Sequence, residues 1–171
     1  VVPLTPPLRD APNRTPEQLQ ALAETFGVAA ARVRNAGLDG VELHAHQRLL
    51  FNQFLSPRYN RRTDEYGGPL ENRMRFMVQT LQAMRQAVGA DFPLGVRICI
   101  DDQVEGGKTI EDSIDMVRRL TALNLVDYIS CTVGYVFHTG PMARPSGEWL
   151  SFVGRIKQAT DLPVLHAGGI T

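Results

Sequence analysis

The chain has 171 residues, 43% of them hydrophobic, which suits a globular protein with one core. Its 18 basic and 18 acidic side chains balance, so no charge field argues for nucleic acid or a membrane surface, and a small molecule is the expected partner. No apolar run approaches the ~20 residues of a membrane span and no signal-like segment opens the chain, so a cytoplasmic location is expected.

Residues 1–14 hold four prolines and no periodicity, and read as an extended lead-in. Thr15-Pro16-Glu17-Gln18 is a capping box with proline at the first helical position. Behind it Leu19, Leu22, Phe26, Ala29, Ala30 and Val33 keep the spacing of an amphipathic helix, which Gly37 stops. A short strand over 40–44 follows, then a polar stretch, then a helix from about Pro69 to Val88. That helix places Leu70, Met74, Met77, Leu81, Met84 and Val88 on one face. Leu94 to Ile100 is a strand, and Thr109 caps a helix with Ile110, Ile114, Val117 and Leu120. Val126 to Thr132 is a third strand. Trp149, Phe152, Val153 and Ile156 mark a further helix, and Pro163 to Ala167 a fourth strand. Cys99 and Cys131 each fall in a strand-like apolar run and are expected as reduced, packed thiols.

This order, a helix, three βα units and a last strand, predicts an α/β fold with a parallel sheet. Two architectures fit: a small doubly wound sheet, or part of a (β/α)8 TIM barrel. The second is expected, because the chain ends on a βα turn at Gly168-Gly169-Ile170-Thr171 and a whole barrel typically takes ~250 residues. In either sheet, ligands bind beyond the strand C-termini, and the long 45–68 loop leaves that edge.

The most informative segment is residues 39–76, DGVELHAHQRLLFNQFLSPRYNRRTDEYGGPLENRMRF. A strand ends there on His44, and Gln47 follows within reach of the same edge. His44 and His46 could share a strand face as a metal pair, but Asp101, Asp102, His138 and His166 stand at no recognisable ligand spacing. Arg97 lies inside an apolar strand, where a charge needs an ion-pair partner, such as Glu42, or a polar ligand. Neither a Rossmann GxGxxG nor a nucleophile elbow occurs.

The segment resembles the signature of the flavin-dependent Old Yellow Enzyme family, whose branches include dienoyl-CoA reductases and amine dehydrogenases. The resemblance implies strands four to seven of an FMN-binding barrel over residues 1–171. His44 matches the first residue of the family's HxxH or HxxN pair, which hydrogen-bonds a ligand oxygen over the flavin. Gln47 takes the second position and keeps an NH2 donor. The pair is therefore expected to face the substrate and serve catalysis. Arg97 matches the arginine at the flavin N1–C2=O edge, and Gly168 and Gly169 match the turn that holds the FMN phosphate. Tyr135 and His138, in the loop after the third strand, are expected substrate contacts. The 58–68 loop is expected as scaffold. The family's proton-donating tyrosine aligns with Leu49, which cannot protonate a carbon.

The expected function is thus FMN-dependent oxidoreduction. It would transfer hydride between a nicotinamide (NADH or NADPH) or an N-methyl amine, the flavin and a small organic acceptor. An iron–sulfur cluster, if used, would draw its cysteines from outside this chain, and a homo-oligomer is compatible with the sequence. A non-catalytic half-barrel and a metal-dependent hydrolase are the alternatives.

Overall fold

A computed structural model describes residues 14–46, 49–133, 147 and 149–167. Its elements run α1 (Pro16–Asn35), β1 (Val41–Ala45), α2 (Leu50–Leu55), α3 (Leu70–Val88), β2 (Leu94–Cys99), α4 (Ile110–Leu123), β3 (Tyr128–Thr132), α5 (Leu150–Lys157) and β4 (Val164–His166). The strands form one sheet in the order β1-β2-β3-β4, and each neighbouring pair is parallel. The expected alternation and strand direction therefore hold.

Local chemistry explains the helix starts. The Thr15 hydroxyl accepts from the Gln18 backbone N–H while the Gln18 amide oxygen accepts from the Thr15 N–H, a reciprocal cap. Thr109 and Asp112 repeat the device at α4. On α3 the expected face is buried at Met74, Met77, Leu81, Met84 and Val88. On α1 most of the expected stripe faces the core, with Leu19 and Ala30 buried and Leu22, Phe26 and Val33 partly buried against it, but one position differs and two are added. Ala29 is exposed, and the buried positions are Leu19, Ala23, Gly27 and Ala30. Counting apolar residues overweights bulk, whereas this helix is buried largely through small residues. A Cβ on Gly27 would stand 2.9 Å from the Ala83 carbonyl oxygen of α3.

The sheet has two unlike faces, because side chains alternate along each strand. Leu43 and Ala45, Val96 and Ile98, and Ile129 and Cys131 are paired across the strands and buried. On the other face the register aligns Glu42 with Gly95 and Tyr128, and His44 with Arg97, Ser130 and Leu165. There His44 is exposed and Leu165 is 52% exposed. A doubly wound sheet covers both faces with helices, so this open face disfavours that architecture.

Of the two glycines that fall within the expected strands, Gly40 and Gly95, one stands just outside. Gly40 precedes β1, where a Cβ would meet the Pro93 carbonyl oxygen at 3.0 Å. Gly95 is within β2, but its close neighbour is a side chain: the Tyr128 ring lies over it, 2.0 Å from where a Cβ would be.

Candidate active site on the open sheet face

Arg97 sits at the centre of the open face. Its Nε donates to Glu42 Oε1 at 2.7 Å, with the two side chains 36% and 21% exposed. The ion pair weighed from the sequence is thus formed. Among the described residues the terminal guanidinium nitrogens have no hydrogen-bond partner, which leaves planar, charged donors for a ligand. Tyr128 completes the group. Burial pushes its phenol above the usual range, Glu42's charge and hydrogen bonding add to that, and Arg97 opposes it.

His44 stands beside Arg97 in the β1–β2 register. Its ring stacks on His46, with centroids 5.7 Å apart and planes 8° from parallel. Leu49, 42% exposed, occupies the N-cap position of α2 and presents no polar atom of its own side chain. Gln47, Tyr135, His138, Gly168 and Gly169, all expected at the site, lie outside the described residues, as does the lead-in apart from residue 14.

The loop after β1 is a scaffold built from charged and amide side chains. Asn60 Nδ2 donates to the carbonyls of Phe54 and Tyr66, both at 2.7 Å. Arg62 pairs with Asp64, from Nε to Oδ1 at 2.9 Å, and its guanidinium carbon lies 5.9 Å and 5.6 Å from the ring centroids of Phe54 and Tyr66. The Arg62 hydrogen bond holds the Asp64 carboxyl below the usual carboxylate range. Its contribution is therefore present above the ordinary carboxylate pKa and fades as pH falls through the lowered value. Asn72 and Arg73, at the start of α3, donate to the carbonyls of Gly67 and Gly68, and Arg73 also pairs with Asp112 at 3.2 Å.

A Cβ on Gly67 would lie 2.0 Å from the Arg62 carbonyl oxygen, which is backbone and cannot swing away. Gly67→Ala in the full-length protein should therefore lower stability by about 1–3 kcal/mol, the usual range for overpacking. A denaturant midpoint equal to wild type would show that this loop is not pinned.

Sequence reasoning missed a second support. Asp102 and Lys108, in the loop after β2, are both fully or almost fully buried. Asp102 accepts from Asn52 Nδ2 at 3.2 Å and from the Lys108 backbone N–H at 2.8 Å. The Lys108 ammonium donates to the Cys99 carbonyl and to Ser113 Oγ. This network ties α2, which follows His44, to the end of the strand that carries Arg97. Both cysteines are free and buried, and burial pushes the Cys131 thiol up to about 12. Such a thiol is inert at neutral pH. Among the described residues no three His, Cys, Asp or Glu side chains are grouped to hold a metal, and no helix is long and apolar enough to cross a membrane.

A parallel βα sheet with one open polar face, on which Arg97 and His44 stand side by side, fits part of an α/β barrel. The chain belongs to the NADH:flavin oxidoreductase / NADH oxidase family, whose family model matches residues 13–171. It is 36% identical to the multifunctional alkene reductase/demethylase OYE of Caballeronia cordobensis, over 96% of this chain and 26% of that protein. It is also 36% identical to the N,N-dimethylglycine/sarcosine dehydrogenase of Chromohalobacter salexigens, over 90% of this chain and 23% of that protein. Among solved structures, a 2-naphthoyl-CoA reductase complex superposes with a TM-score of 0.85 at 35% identity, over 93% of this chain and 25% of that one. The chain thus spans about a quarter of the length of these relatives. Its four strands are a fragment of a (β/α)8 barrel.

Proposed function

We propose that the whole protein is an FMN-dependent oxidoreductase. It passes a hydride between a nicotinamide or N-methyl amine donor, the flavin and a small organic acceptor. The observation that carries this reading is the His44–Arg97 register on the open sheet face, with the two terminal guanidinium nitrogens free of partners among the described residues. The donor set fits an anionic, planar cofactor edge, since a guanidinium presents several N–H groups in one plane and a fixed charge. Arg97 would hold that edge, and the Gly168-Gly169 turn, with its backbone N–H groups, would hold the phosphate. FMN supplies the two-electron redox centre when bound.

The chain's own residues then bind and orient. Arg97 offers a fixed positive charge where negative charge accumulates on reduction. His44, with Gln47, donates hydrogen bonds to a carbonyl or anionic oxygen of the substrate. Leu49 contributes surface but no proton, which favours amine oxidation or demethylation over alkene reduction. The names of the relatives span both chemistries. Tyr135 and His138 would contact the substrate, and Tyr135 could meet a methylammonium group by cation–π attraction. The substrate is a small molecule and the setting is the cytoplasm.

Anaerobic mixing of the full-length protein with NADH, NADPH or an N-methylated amine tests the reading. Loss of flavin absorbance with at least one of these donors is expected. A bound flavin that none of them bleaches would remove the proposed reaction.

A further inference from the structure

The Glu42 carboxylate does more at this face than pair with a partly exposed cation. Glu42 occupies the open-face position of β1 one pleat below His44, with Gly95 and Tyr128 as its register partners on β2 and β3. Gly95 leaves room for the Tyr128 ring, which lies flush over its Cα. Glu42 accepts from Arg97 Nε at 2.7 Å and also lies near enough to Tyr128 to add to the burial that pushes its phenol up. It engages Arg97 through Nε alone, which directs one N–H of the guanidinium while, among the described residues, the two terminal nitrogens stay available.

We infer that Glu42 is a positioning residue that both aims Arg97 at the flavin and offsets part of its charge, so that it sets how strongly the site favours reduced over oxidised flavin. This rests on the function proposed above. Its physical basis is simple. A cation stabilises the anionic reduced cofactor more than the neutral oxidised ring, and an anion 2.7 Å from that cation subtracts from the field. Among the described residues, the titratable and charged groups near Glu42 on this face are Arg97 and Tyr128 across the sheet and His44 two residues along its own strand, and Arg97 carries the permanent charge.

The test uses the full-length protein loaded with FMN, and reads the flavin reduction potential and the FMN dissociation constant. Glu42→Gln keeps the length and the carbonyl acceptor for Arg97 but removes the negative charge. It should retain FMN and shift the ratio of reduced to oxidised affinity about tenfold towards reduced, a rise of about 30 mV for a two-electron couple. Glu42→Asp keeps the charge and should stay within a few-fold of wild type. Equal shifts in both variants, no shift in either, or loss of FMN from Glu42→Gln would each overturn the inference. Arg97→Ala in parallel separates the two levels. Undiminished FMN binding there removes the proposed flavin site itself, whereas weakened binding with an unmoved potential in Glu42→Gln removes only the role given to Glu42.

Discussion

In the full-length protein, Leu49→Tyr should raise the turnover of cyclohexenone by about 10²- to 10⁴-fold, the usual contribution of a positioned general acid. The resemblance aligns Leu49 with the tyrosine that ene-reducing members of the family use as proton donor. Its side chain is 42% exposed at the start of α2, so a tyrosine ring can be accommodated without overfilling a core. The backbone there is extended, with φ −80 and ψ 168, a conformation that suits an aromatic residue. Oxidation of an N-methyl amine needs no such acid and should change little. A wild type that already reduces the enone rapidly, with no gain from tyrosine, would contradict the role given to this position. Tyr135 would then be the next candidate acid.

Arg97→Ala should weaken FMN binding by about 10- to 150-fold, the equivalent of one charge-assisted hydrogen bond of ~1.5–3 kcal/mol. The loss of fold stability should be smaller. Removing Arg97 leaves Glu42 without its cation, but both side chains are partly exposed and water screens the stranded charge. Comparing FMN titrations with thermal unfolding of the cofactor-free protein distinguishes the two effects. Unchanged FMN affinity with lowered stability would make Arg97 purely a partner for Glu42.

The architecture was legible because the strands are nearly continuous apolar runs and the helices begin with recognisable caps at Thr15 and Thr109. What escaped has physical reasons. The helix Leu50–Leu55 is too short for its periodicity to stand out inside a loop rich in polar residues. The burial of α1 through Ala23 and Gly27 escaped because close helix approach rewards small side chains, which hydrophobic counting ignores. Lys108 is buried by partners in the loop after β2, and no local pattern announces such a network. At the site, Arg97 in an apolar strand signalled a paired or ligand-facing charge, and Glu42 was a visible partner. Tyr128 had one signal, the glycine at position 95 in a neighbouring strand, because a strand glycine often marks a close approach. The roles expected of Gln47, Tyr135, His138, Gly168 and Gly169 rest on the resemblance, and these residues lie outside the described ones.

The most direct measurement of the central claim is the flavin content of the purified full-length protein. Flavin released on denaturation should be FMN, at about one molecule per chain, after the protein has been incubated with excess cofactor and desalted. A folded full-length protein that carries no flavin and takes none up would contradict the account.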